Sequence, residues 1–302
     1  MTTGIRGIGM TAMGVSNDLS DLATRLDEIE TTGLTFVELP LYDLDCVIAG
    51  RIYSTQLQAV KKITSSRRLT YTAHGPHPIN FFDDVFRLPR HFEVLKASME
   101  AAAELGAVHY VVHAGMMPLV QSMGLEAAYE RQREWLTRGG DLAKSLGLML
   151  CVENIFGDYH GNIHTPTPKR LARELAVINH SHVWATLDVG HAFIETDFHG
   201  LDLVSECAEL APYALHVHMH DNFGRQDDVS MYTESERLAF GHGDLHLPMG
   251  MGGIDWNTLF GTCVFPKEVI FNIELARRYW HWRQDCVDAM KALQPKIKTN
   301  AA

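Results

Sequence analysis

An aspartate and a histidine three residues apart close an apolar run in Ala185-Thr186-Leu187-Asp188-Val189-Gly190-His191-Ala192. Where a strand opens into a loop, such a pair can face one pocket, which suits a divalent cation or a proton-transfer site. Taken alone, the octapeptide reads equally well as an N-capping aspartate beside a surface histidine. The chain repeats the pattern, however: Glu38, His74, His113, Glu153, His218 and Glu274 also stand at the ends of apolar runs, and the sequence holds 17 histidines. One such residue is an ordinary hydrogen-bonded strand end, a reading that stays open for Glu38, but the whole set is poorly explained that way. Its centre is Glu153, Asp188, His218 and Glu274. Three carboxylates and an imidazole form a mixed oxygen and nitrogen cage for zinc, manganese or cobalt, with room for a substrate oxygen. No cysteine stands at these ends, which argues against a closed structural zinc site.

These residues require a scaffold that brings many strand ends together. Apolar runs predict strands at Ile5–Met10, Phe36–Pro40, Leu69–His74, Val108–His113, Leu148–Glu153, Val183–Asp188, Ala214–His218 and Glu268–Glu274. Helical spacing predicts helices between them at Asp18–Thr32, Thr55–Ser65, Pro89–Leu105, Glu126–Leu146, Lys169–Ile178, Leu201–Leu210 and Ile254–Cys263, and a last one at Arg277–Leu293. Gly139-Gly140 is expected to kink the longest of these. Strands alternating with helices imply a parallel sheet, and eight such units close into a single (β/α)8 TIM barrel over residues 1–302. Residues 222–247 show no periodicity and read as a loop insertion after strand seven, placed to serve as a lid; residues 295–302 read as a frayed tail. In such a barrel the strand C-termini and the loops after them build the active site.

Composition bounds the partners. A formal net charge of −11 argues against nucleic acid without closing that option, because a local basic groove can sit within an acidic total. The loops near the strand ends supply few phosphate-gripping cations beyond Arg51, Arg87, Arg90 and Arg225. Five cysteines, an odd number without a C-x-x-C pair, suit reduced thiols in the cytoplasm. Met1 to Met10 hold no long apolar segment and no run approaches the roughly 18 residues of a membrane span, so a soluble cytoplasmic protein is expected. A homo-oligomer is open.

Several strings together resemble the xylose isomerase-like TIM barrels: Ala73-His74 with Asn80, Val112-His113-Ala114-Gly115, Val152-Glu153-Asn154, Leu187-Asp188-Val189-Gly190-His191-Ala192, His218-Met219-His220-Asp221-Asn222 and Ile273-Glu274. That superfamily includes sugar and sugar-phosphate isomerases and epimerases as well as endonuclease IV-type phosphodiesterases. Asp244-Leu245-His246-Leu247-Pro248-Met249-Gly250-Met251-Gly252 is similar to the D-x-H-x-x-x-G-x-G segment of endonuclease IV and of isomerase-like relatives. In endonuclease IV the positions matching His74, His113, Glu153, Asp188, His191, His218, Asp244, His246 and Glu274 hold three zinc ions, and all nine side-chain types are present here.

The resemblance implies two competing chemistries and one to three ions, zinc foremost. In an isomerase, one metal on Glu153, Asp188, His218 and Glu274 polarises a sugar carbonyl and hydroxyl, while Glu153 and Glu274 take and return a proton and His191 serves a substrate hydroxyl. A dehydratase or lyase acting on a keto-sugar would use the same metal and base. In a hydrolase of small phosphodiesters or abasic DNA, His74, His113, His191, Asp244 and His246 are ligands too. Against DNA stands His77-Pro78, where endonuclease IV relatives carry bulkier residues that wedge into the duplex. The resemblance to ketose 3-epimerases is incomplete: the arginine they carry soon after the strand-seven histidine is displaced here to Arg225, and Glu153-Asn154-Ile155-Phe156-Gly157 lacks their N-R segment. A sugar or sugar-phosphate isomerase or epimerase is the leading expectation, with Glu38, Asn80, Arg225, Gly250 and Gly252 as substrate contacts. The amides of Gly250 to Gly253 either cradle a sugar phosphate or simply make a tight turn before a helix.

Overall fold

The computed structural model describes residues 4–119 and 124–300. Eight parallel strands close a barrel: β1 (Ile5–Thr11), β2 (Phe36–Pro40), β3 (Thr70–His74), β4 (Ala107–His113), β5 (Met149–Glu153), β6 (Val183–Asp188), β7 (Ala214–Met219) and β8 (Val269–Ile273), each paired with its sequence neighbours and β8 with β1. The outer wall is α1 (Leu22–Glu30), α2 (Ser54–Thr64), α3 (Leu88–Glu104), α4 (Leu125–Leu146), α5 (Pro168–Ile178), α6 (Val189–His199), α7 (Leu203–Leu210), α9 (Trp256–Thr262) and α10 (Arg283–Leu293), while α8 (Glu234–Phe240) stands in the loop after β7 with no buried residue. The expected strands and the (β/α)8 closure are present.

Period-two alternation divides each strand between two environments. On β5, Leu150 and Val152 join the main apolar core with the helices, whereas Cys151 packs with Val111 in a separate small cluster. The inward face carries unusual polarity: His109, Glu153, Asp188, His216 and His218 are all at most 1% exposed. Barrel lumens are ordinarily filled by branched aliphatics. Here Gly7 leaves room for the Phe36 ring, from which a Cβ would stand 2.4 Å, and Gly9 for the Phe36 Cβ, at 2.9 Å.

Register then aligns the strand ends. His113 pairs with Glu153, Asp188 with His218, and Thr11 with Glu38, so the acids and imidazoles of adjacent strands reach the same level. A one-residue slip would turn each of them to the outer face.

Four local expectations differ from the structure. Gly139 and Gly140 sit inside one unbroken helix, α4; a Cβ on Gly139 would lie 2.8 Å from Leu150 and one on Gly140 2.6 Å from Val183, so they permit close approach to the barrel. The segment after Asp188 is α6 and not a loop; the Asp188 carboxylate caps it by accepting the His191 N–H at 2.7 Å. The aperiodic stretch 222–247 contains α8, opened by a Thr233–Glu236 capping box. Its ends are closed by bridges pairing Asp221 with Leu247 and Arg225 with His242. The tail continues in order as far as Asn300, with Lys298–Thr299 pairing beside Val264–Phe265; Ala301 and Ala302, like Met1 to Thr3, lie outside the described residues.

One buried side chain holds the loop after β7 against the barrel. Asp221, fully buried, accepts N–H bonds from Asn222 at 3.1 Å, Gly250 at 2.8 Å and Ile254 at 3.3 Å, and from the Trp256 indole at 3.1 Å. Removing it strands several buried donors at once, each costing about 1–3 kcal/mol. Asp221→Ala should therefore unfold several degrees below the wild type in a thermal melt, and an unchanged melting temperature would remove Asp221 from this role.

Candidate metal centre

Glu153, the last residue of β5, is the hub. Its Oε1 lies 3.1 Å from His218 Nδ1 and 3.3 Å from His191 Nδ1, while Oε2 lies 3.0 Å from His74 Nε2 and 3.5 Å from His113 Nε2. Around His218 Nδ1 also stand Asp188 Oδ2 at 3.6 Å and Glu274 Oε1 at 3.7 Å. Ligands bonded to one ion at about 2.0–2.2 Å lie about 3–3.6 Å from one another. Oxygens of Glu153, Asp188 and Glu274 thus surround His218 Nδ1 at 3.1–3.7 Å, close to the spacing of donors that share one ion, and three carboxylates with one imidazole suit zinc or manganese.

A second donor set adjoins the first. Donor atoms of His191, His220, Asp244 and His246 lie within 4.8 Å of one another, as do those of His74, His77 and His113. His220 Nδ1, Asp244 Oδ1 and His246 Nδ1 are buried without a hydrogen-bond partner, which is costly unless something else engages them. His246 reaches this position from a backbone φ of +43° and stacks on His220 with ring centroids 4.0 Å apart.

Both sets open on a cavity of about 450 Å³. Its polar floor includes His74, Glu153, His191, Asp244, His246 and Glu274, and Met13, Met116, Ile155 and Phe156 form apolar walls; among the described residues no lysine or arginine lines it. His77 stacks parallel to His113 at 4.9 Å and tilts against Tyr42 at 4.2 Å, covering one side.

The expected substrate contacts fare differently. Glu38 is fully buried and lies behind His218, away from the cavity lining. Asn80 pins a loop, donating to the Met116 carbonyl at 2.8 Å and accepting from its N–H at 3.1 Å. Arg225 lines a separate cleft with Asp228 and His242. The Gly250 amide is committed to Asp221, that of Gly253 donates to the Asn222 carbonyl at 2.8 Å, and a Cβ at Gly252 would stand 2.2 Å from that same carbonyl oxygen. The turn is closed around an internal carboxylate, so a phosphate finds no cradle there. Of residues 222–247, only Asp244 and His246 line the cavity. His220 and His77 were not singled out by spacing; the H-x-H alternation through His216, His218 and His220 carries that signal, since it puts three imidazoles on one strand face.

Electrostatics follow from burying acids beside imidazoles. Burial opposes charge on Glu153, but His218 and His113 hold it well below the usual carboxylate range. Burial raises Glu274 instead, despite the facing His218 and His246. Burial alone would depress His218 and His191, yet Glu274, Glu38 and Glu153 around the first, and Asp188 and Asp244 around the second, hold both well above the imidazole range. His246 is opposed by burial but raised to about 9 beside Asp244. Burial pushes His77 down to about 4 and His113 to about 3.

A proton retained by folded His246 but released by the unfolded chain stabilises the fold fully below the ordinary value of 6.5 and ceases to do so as pH rises through about 9. Chelator-treated protein should therefore lose melting temperature across that interval, a trend that a flat or rising profile would refute.

The family model described as xylose isomerase-like TIM barrel matches residues 26–295. No curated protein matches the sequence. Among solved structures, a D-tagatose 3-epimerase-like protein is similar over 96% of this chain and 97% of its own, at 17% identity and a TM-score of 0.71. 3-Keto-D-glucoside 4-epimerase from E. coli aligns over 95% and 99%, at 17% identity and 0.66, and the IolI protein with a binding zinc atom over 95% and 96%, at 15% and 0.65. Likenesses at these identities concern the fold, and with the family match spanning nearly all eight strands, the chain belongs to the xylose isomerase-like TIM barrel family.

Proposed function

We propose that this chain is a metal-dependent isomerase or epimerase of a sugar, exchanging a proton between Glu153 and Glu274. The observation that carries the reading is the placement of these glutamates: both line the cavity and stand beside His218 Nδ1, at 3.1 and 3.7 Å, with the imidazoles lowering Glu153 and burial raising Glu274. Two carboxyl groups whose environments push them apart suit a base and an acid. Glu153, Asp188, His218 and Glu274 would hold the cation, which when bound supplies electrophilic polarisation of a carbonyl and its neighbouring hydroxyl. Glu153 accepts the proton from the hydroxyl-bearing carbon next to the carbonyl, and Glu274 returns one, to the same carbon in an epimerisation or to the former carbonyl carbon in an isomerisation. His191, whose two ring nitrogens face the Asn154 carbonyl at 3.1 Å and Asp244 at 3.2 Å, lines the cavity and holds Asp244 toward it. Met13, Met116, Ile155 and Phe156 pack on the sugar carbons and exclude water. A cavity without lysine or arginine, beside a glycine turn already filled, favours an unphosphorylated sugar. The names of the similar structures, a tagatose 3-epimerase-like protein and a keto-glucoside 4-epimerase, agree with this class.

Solvent-deuterium incorporation into ketoses is the direct test. Wild type loaded with zinc, manganese or cobalt should exchange the carbon-bound proton, and Glu153→Gln and Glu274→Gln should each lose about 10²- to 10⁴-fold of that rate while remaining folded. Full exchange by either variant would sink its assigned role.

One observation favours a second reading, a phosphoester hydrolase using several zinc ions: the unpartnered donors of His220, Asp244 and His246 offer more ligands than one cation needs. Elemental analysis of protein purified without chelators decides between them. About one ion per chain is expected for the isomerase; about three would transfer the proposal to phosphodiesters.

A further inference from the structure

We propose that Glu38 is a positioning residue for the metal ligand His218: it accepts the Nε2 proton and so holds the ring in the tautomer whose Nδ1 lone pair faces Glu153, Asp188 and Glu274. The inference rests on reading that cluster as a cation site, and it concerns a carboxylate that no substrate in the cavity reaches.

The geometry is direct. Glu38 Oε2 lies 3.2 Å from His218 Nε2, while the other ring nitrogen, Nδ1, points at the three cluster carboxylates. A ligating imidazole needs one bare nitrogen, and the group hydrogen-bonded to its opposite nitrogen selects which one. An ionised carboxylate can only accept, so it demands a proton on Nε2 and leaves Nδ1 free.

Glu38 also has polar neighbours below it. Its Oε2 lies 3.0 Å from His216 Nε2, and His216 Nδ1 lies 3.4 Å from His109 Nδ1. Its Oε1 faces Asn272 Nδ2 at 3.4 Å and the Thr11 hydroxyl at 3.1 Å. That hydroxyl is also 3.2 Å from Glu274 Oε1 and, having one proton, donates to one glutamate at a time. Glu38, His216 and His109 are all 0% exposed, at levels of the barrel where aliphatic side chains would be cheaper to bury. Retaining a buried acid and two imidazoles there makes sense through what the acid touches above it, and the residue above it is His218.

Glu38→Gln keeps the side-chain volume but can either accept from Nε2 or donate to it, so it no longer selects the tautomer. Glu38→Ala removes the partner altogether. Zinc affinity, read by competition with a chromophoric chelator, should fall about 10-fold for Glu38→Gln and up to about 100-fold for Glu38→Ala. Nitrogen-15 NMR of labelled, chelator-treated protein, at a pH alkaline enough for the His218 ring to be neutral, should show it protonated at Nε2 in the wild type and as a mixture of tautomers in Glu38→Gln. A merely structural role would lower the melting temperature without moving the tautomer. Wild-type affinity in Glu38→Gln, or weakened affinity with His218 unchanged, overturns the proposal. Failure of the wild type to take up any metal overturns the cation site as well, which separates the two.

Discussion

Four carboxylates, Glu38, Glu153, Asp188 and Glu274, are buried at one end of this barrel, and everything around them answers to that charge. An unpaired carboxylate in such a place costs several kcal/mol, and lysine or arginine would bring long side chains into a lumen that has no room for them. Imidazoles are compact, planar and able to present two nitrogens to two different acids. His218 does so between Glu38 and Glu153, and His191 between the Glu153–Asp188 pair and Asp244. The imidazoles of this cluster thus answer to the buried acids.

The cluster has depth. An upper level of His74, His113, His191, Asp244 and His246 borders the cavity, where orphaned nitrogens and oxygens are available to a ligand. A lower level of Glu38, His216 and His109 touches no cavity and bears on the upper one through His218. Positioning groups locked by packing and hydrogen bonds beneath ligands is how a site keeps its geometry before anything binds. The loop after β7 is disciplined in the same manner, because the four bonds to Asp221 set the path that delivers Asp244 and His246 to the rim.

Substrate selection follows from what surrounds the acids. Apolar walls beside a strongly polar floor suit a sugar, whose carbons pack on one side and whose hydroxyls face the other. The side of the cavity covered by Tyr42 and His77 offers aromatic faces without charge, since burial holds His77 neutral near physiological pH. Arg225 lines a different cleft and contributes no charge to this cavity.

Much of this was legible in the chain alone. Strand ends can be read because apolar runs stop where the backbone leaves the core, and eight runs, seven of them with an acid or imidazole at or near the end, define both a barrel and the end of it that matters. Glu153, Asp188, His218 and Glu274 were found in that way, and the structure brings them together around one nitrogen. The depth of each residue was not legible. Glu38 at a strand end looks like any other tip residue, and only closure of the barrel, which sets β2 across from β7, turns its carboxylate onto the back of His218. Gly250 and Gly252 resemble an anion cradle until Asp221, some thirty residues earlier, is seen to occupy their turn. Sequence determines which side chains stand at which strand end, because strand period and chain order are local; which partner each one meets depends on register and closure, and those exist only once every strand is in place.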